Sequence, residues 1–165
     1  MRTEHRLRVD LRPFEERDLP RLASWARRID ADAYMSRIRP LDDTLVSHDP
    51  ATGVLWYVIR VDHRDVGAIW LEREAESSCA RLGILLGDEA LFGRGIGTEA
   101  VNMVIERARA GDKRIRTLAL HVRRGNERAI ACYEKCGFTT VESGGKLRPD
   151  GTAIEFYRME RRLER

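Results

Sequence analysis

The chain opens on alternation: Leu7, Val9 and Leu11 are separated by Arg8 and Asp10 and flanked by Arg6 and Arg12. Period two predicts a strand with one buried face, and Pro13 is expected to end it. Asp18 then has the place of a helix N-cap, with Pro20 in the first turn. Leu19, Leu22, Ala23 and Ala26 form one apolar stripe at helical spacing. From Ile29 to Pro50 the pattern is mixed, predicting a short helix followed by a polar loop. Val54–Val61, Val66–Glu72 and Ala80–Leu86 follow as three β-branched, aromatic-rich runs, the first two joined by the polar turn Asp62-His63-Arg64-Asp65. They predict an antiparallel meander. The texture changes at Gly87–Gly97, a loop with four glycines. Thr98 is expected to begin a helix that carries Val101, Val104, Ile105 and Ala108 inward and stops at Gly111. Thr117–Val122 reads as a strand. Asn126 opens a second late helix with Ala129, Ile130 and Tyr133 on one face and Gly137 just beyond it. Phe138–Val141 and Ala153–Met159 read as two last strands around the turn Pro149-Asp150-Gly151. The order β-α-α-β-β-β-α-β-α-β-β predicts a mixed α/β sheet with helices packed on it, in a single domain spanning residues 1–165.

Composition narrows the function classes. The 165 residues are 42% hydrophobic, enough for a real core, so a disordered chain is excluded. The longest apolar run, Gly53 to Ile59, is far short of a membrane span, and the charged first residues lack a secretory pattern. A cytoplasmic protein with no membrane partner is the expectation. Lys+Arg number 30 and Asp+Glu 27, with acids interleaved throughout, so no nucleic-acid surface is predicted. Cys79, Cys132 and Cys136 show no metal-ligand or disulfide-framework spacing, so reduced thiols and no metal are expected. Cys132 and Cys136 stand four apart on a predicted helix and read as small buried residues.

Chemistry concentrates in Leu85-Leu86-Gly87-Asp88-Glu89-Ala90-Leu91-Phe92-Gly93-Arg94-Gly95-Ile96-Gly97-Thr98. Glycines at alternate positions let successive N–H groups converge on one point, and the loop runs straight into a helix N-terminus. With Arg94 as a forked cation, the arrangement suits a pyrophosphate. A dinucleotide fingerprint fits poorly. Several residues separate Leu86 from Gly93, and the strand Thr117–Val122 ends without a carboxylate.

A second segment, Leu118-Ala119-Leu120-His121-Val122-Arg123-Arg124-Gly125-Asn126-Glu127-Arg128-Ala129-Ile130-Ala131-Cys132-Tyr133-Glu134-Lys135-Cys136-Gly137-Phe138, resembles the GNAT-fold N-acetyltransferase pattern L-x-V-x-x-x-N-x-x-A-I-x-x-Y-x-K-x-G-F. The glycine loop is similar to that family's pyrophosphate loop, Q/R-x-x-G-x-G/A, with Phe92 at the first position in place of Gln or Arg. The ribosomal-protein, polyamine and aminoglycoside 6′-N-acetyltransferase branches share these features. The resemblance implies a GNAT fold of about seven strands with a central splay and about four helices.

It also implies acetyl-CoA as cosubstrate, held between Ala80–Leu86 and Thr117–Val122. The backbone of Leu85 and Leu86 would pair with the pantetheine arm, and Gly93, Arg94, Gly95, Ile96, Gly97 and Thr98 would hold the pyrophosphate. Asn126 would touch the cofactor arm, although a plain helix cap explains it equally. Tyr133 matches the tyrosine that protonates the departing thiolate, although a core tyrosine would have the same spacing. Relatives carry Glu where Arg81 stands, so Glu72 and His121 are the candidates for proton acceptor. The acceptor would be a primary amine of a small molecule or a protein N-terminus. Asp30, Asp32, Asp42, Asp43 and Asp49 give the specificity segment an acidic tint suited to a polyamine or aminoglycoside, or to a solvated loop. Homodimer formation is left open. A non-catalytic CoA-binding or sensing module of the same fold is the alternative, motivated by Arg81 and Phe92.

Overall fold

The computed structural model describes residues 6–42 and 46–165. Seven strands, β1 (Val9–Pro13), β2 (Val54–Val61), β3 (Arg64–Arg73), β4 (Cys79–Leu86), β5 (Thr117–Arg123), β6 (Thr139–Leu147) and β7 (Ala153–Arg162), form one sheet in the order β1-β2-β3-β4-β5-β7-β6. The helices are α1 (Leu19–Arg28), α2 (Arg39–Asp42), α3 (Ile96–Ala110) and α4 (Glu127–Lys135). The element order is the one that the sequence pattern predicts, and β2 to β4 are the expected meander, which β1 extends by pairing with β2.

All neighbours are antiparallel except β4 and β5. That parallel pair is registered only at Cys79↔Thr117, Ala80↔Leu118 and Arg81↔Ala119. Past Arg81 the strands part, so Leu82–Leu86 and Leu120–Arg123 border a gap in the middle of the sheet.

Side-chain alternation divides the core in two. Ile69, Leu71, Ala80, Leu82, Leu118 and Leu120 pack under α3 and α4 with Val101, Val104, Ile105 and Tyr133. Ala68, Trp70 and Leu85 face the other way, with Trp56, Val58 and Leu22 of α1. Burying one such large side chain contributes about 1.5–3 kcal/mol, so α3, with Ile96, Val101, Val104 and Ile105 buried beside two alanines, is anchored firmly by its inward face. Gly83 is fixed by a close approach: a Cβ there would lie 2.3 Å from the Trp70 indole.

Pro13 ends β1 as expected, paired across from Tyr57, which an edge strand tolerates because its outer N–H has no ladder bond to lose. Other local expectations are corrected. Asp18 makes no side-chain cap bond to α1. It is buried at 6% exposure and receives two hydrogen bonds from Arg12, at 2.9 and 2.7 Å. Helix α3 begins at Ile96 rather than Thr98, because Gly95 takes the left-handed conformation (φ 82°) directly before it. Strands β6 and β7 outrun their predicted ends. Nearly every β6 residue is exposed, so no alternation betrays it. Asp43 lies outside the described residues.

Candidate active site

A cleft of about 1080 Å³ fills the gap between β4 and β5. Its upper end is the glycine loop. Gly93 (φ +72°) and Gly95 (φ +82°) both occupy the left-handed region, and a Cβ at either would meet no atom within 4 Å. The space beside them is therefore free for a ligand to reach the backbone. Unpaired N–H groups at the start of α3 face the same end. These residues fit a pyrophosphate, and the β5-facing backbone of Leu82–Leu86, with no strand opposite it, fits an extended amide-bearing arm. Gly93, Gly95, Ile96, Gly97, Thr98, Leu85, Leu86 and Asn126 all line the cleft, as do Glu72, His121 and Tyr133. The side chain of Arg94 is exposed and is not part of the lining.

Two features at this end escape a linear reading. Phe92 lies under the Arg128 guanidinium, 3.8 Å from ring centroid to carbon. A cation–π contact thus puts an arginine from α4 against the loop whose own first position lacks one. The signal was present as an aromatic at position 92 and an arginine two residues after Asn126, but only the fold joins them. The second feature is Cys132, which lines the cleft with its sulfur 3.4 Å from Thr98 Oγ1. Donation by the Cys136 thiol, opposed by burial and aided by Thr98 and Lys135, brings the Cys132 thiol down to about 6.

Asn126 caps α4, its Oδ1 accepting from the Ala129 N–H at 3.3 Å. At the other end Gly137 (φ 86°) closes the helix: its N–H donates to Glu134 O and the Phe138 N–H to Tyr133 O, both at 3.0 Å. This closure sets the Tyr133 ring against Phe138. The Tyr133 hydroxyl has no hydrogen-bond partner among the described residues, and burial, with the two nearby cysteines, pushes its pKa up. It enters the cleft as a proton-bearing phenol from the α4 side.

The opposite side is charged. Both Glu72 oxygens are taken by Arg39, whose Nε and Nη2 donate at 2.8 and 3.1 Å. Glu74 pairs with Arg81 at 3.2 Å. His121 stands on β5 with its ring centroid 5.1 Å from that of Phe156. Burial first, then Arg81 and Arg158, hold its pKa below the usual histidine range, so the imidazole is neutral at pH 7 and able to accept a proton. Of the acidic segment, none of Asp30, Asp32, Asp42 and Asp49 lines the cleft. Asp42 pairs with Arg37, and Asp49 accepts from the Ala51 N–H. Among the described residues no three His, Cys, Asp or Glu side chains gather as a metal site, and no helix is long and apolar enough to cross a membrane.

Comparison with known proteins agrees with this geometry. The family model for the acetyltransferase (GNAT) domain matches residues 8–139. The aminoglycoside N(6′)-acetyltransferase type 1 of Klebsiella pneumoniae is 26% identical over 175 residues, covering 95% of this chain and 86% of that protein. The fold recurs in spermidine N-acetyltransferase from Vibrio cholerae, solved with CoA and spermine (TM-score 0.74, 19% identity, 94% of this chain and 95% of that one). It recurs again in aminoglycoside acetyltransferase AAC(6′)-Ib, solved with coenzyme A and kanamycin (TM-score 0.69, 24% identity, 94% and 95%). With a family match over most of its length and a split sheet beside a glycine cradle, this chain belongs to the GNAT acetyltransferase family.

Proposed function

We propose that the chain transfers an acetyl group from acetyl-CoA directly to a primary amine of a small molecule, without an acyl-enzyme. One observation carries this reading: the glycine cradle opens into the gap between β4 and β5, and a phenol and a neutral imidazole enter that gap from opposite faces. Gly93, Gly95, Ile96, Gly97 and Thr98 hold the pyrophosphate through main-chain N–H groups, and Arg128, braced on Phe92, adds the cation. The exposed Arg94 is left with at most a long-range share. Leu85 and Leu86 offer backbone partners to the pantetheine arm, and Asn126 keeps its cap while bordering it.

Bound acetyl-CoA supplies the acetyl group as an activated thioester. Tyr133 keeps its proton at neutral pH and holds it at the hydroxyl for a leaving thiolate. An alkyl ammonium titrates near pKa ~10.4 and must lose a proton before attack. His121 is placed to take that proton, whereas Glu72 already has both oxygens engaged by Arg39 and serves to position it. Release of CoA thiol from acetyl-CoA, dependent on an added amine, is the test. The relatives' acceptors, kanamycin-type aminoglycosides and spermidine, belong in the screen. Tight acetyl-CoA binding with no release under any amine would instead favour a non-catalytic sensor.

A further inference from the structure

The acceptor half of the cleft has a charge pattern that selects among amines. Among the described residues that line the cleft, eight lysines and arginines stand against two carboxylates, Glu72 and Glu74. Both acids are neutralised from within the protein, by Arg39 and Arg81. No free carboxylate among the described lining residues is left for a cationic guest.

Four of these cations, by contrast, have no carboxylate partner among the described residues: Arg128 stacks on Phe92 and Lys135 stands on α4, which leaves Arg123 and Lys146 on the sheet. Among the described residues the half-buried Arg123 side chain donates only to Ser36 Oγ, at 3.3 Å, and Asp32 acts on it from beyond ion-pair distance. The Lys146 side chain forms no ion pair or hydrogen bond among the described residues. The strand ladder puts the two side by side. Arg123 is opposite Phe156 on β7, and Lys146 is opposite Ile154, two residues along the same strand and on the same face. Phe156 and Ile154 form the apolar floor between them, and both line the cleft. Arg123 also borders a second hollow, of about 750 Å³, to which Arg124 and Arg148 contribute. Glu127 and Glu155 also line that hollow, Glu155 being paired with Arg124, and a part-buried guanidinium with no carboxylate at ion-pair distance suits an oxyanion that completes the site.

We infer that the acceptor is a primary amine that also carries an oxyanion, a carboxylate or its phosphorus counterpart, and that Arg123 and Lys146 grip this group while the amine points to the gap between β4 and β5. This inference rests on the transfer reading above. Its field effect is favourable for chemistry, since surrounding cations lower the pKa of an ammonium and release the neutral amine. The same field repels a polycation such as spermidine.

The full chain is assayed for CoA-thiol release with the twenty amino acids, 2-aminoethylphosphonate, the decarboxylated counterpart of each active amino acid, spermidine and kanamycin. An anionic amine is expected to exceed its uncharged-tail counterpart at least tenfold in kcat/KM. Arg123→Ala combined with Lys146→Ala should collapse that ratio through KM, and Arg123→Lys should restore part of it. A merely structural role would lower both rates together and leave the ratio standing, which would overturn the inference. The phosphonate arm separates carboxylate from phosphorus recognition. Preference for spermidine or kanamycin overturns the inference and leaves the transfer reading intact. Should no amine turn over, anionic amines are tested by thermal shift on the CoA-saturated protein. An Arg123-dependent shift then supports the oxyanion site although transfer fails, and no shift overturns it.

Discussion

Gly95 turns the backbone at φ +82° beside open space, so its substitution isolates ligand contact from packing. Gly95→Asp adds about 1–2 kcal/mol of backbone strain and places an anion where the cradle's N–H groups converge. Calorimetry should show acetyl-CoA affinity reduced at least tenfold in a protein that remains folded. Tyr133→Phe deletes a hydroxyl without a partner, so stability should hold while kcat falls about a hundredfold at nearly constant KM. Cys132 offers a probe. Because Cys136, Thr98 and Lys135 favour its thiolate, its alkylation should set in at lower pH than that of an ordinary thiol, and acetyl-CoA should protect it. At this scale the sequence was generous with the main chain and sparing with the side chains. The glycines announce their own conformational need. The contact of Arg128 with Phe92 and the donors around Cys132 join residues tens of positions apart, which no local pattern encodes.

Between elements, α4 shows how local closure serves a distant task. Asn126 at its start and Gly137 at its end hold nine residues in place, and the Gly137 turn sets Tyr133 against Phe138. Asn126→Ala should cost about 1 kcal/mol in urea unfolding through the lost cap, besides any change in acetyl-CoA binding. The pair Phe92 and Arg128 ties the glycine loop to α4. Alanine at each should weaken acetyl-CoA binding, and the double variant should lose less than the sum, which a double-mutant cycle by calorimetry would read. Amphipathic elements were legible from periodicity, since α3 and the central strands have buried faces. Strand β6 was legible only at its start, because both of its faces are open and its remainder is defined by hydrogen bonds to β7 alone. The start of α3 was displaced for a related reason: Gly95, not a side-chain cap, sets it.

Across the whole molecule, the ion network joining Arg12, Asp18, Asp65 and Arg21 ties β1, the start of β3 and α1 together. Burial alone would raise the Asp18 pKa, but the Arg12 and Glu15 N–H donors override it and the net shift is downward. The sign follows: this stabilisation is complete above the ordinary aspartate range and is lost as pH falls through the lowered value. Urea midpoints should therefore drop between pH 5 and pH 2, and Asp18→Asn should flatten that drop while costing stability at pH 7. No sequence pattern separates this buried aspartate from a helix cap, since both precede the same apolar stripe. The gap past Arg81 has a mechanical consequence of its own. Three rungs alone couple the halves of the sheet there, so the two halves are hinged like the covers of a book. A cosubstrate seated between them acts as a surrogate strand and binds the covers shut. Amide exchange at Leu82–Leu86 and Leu120–Arg123 should slow together when acetyl-CoA is added, and a saturating ligand at a hundred times its Kd should steady the fold by about 2.7 kcal/mol.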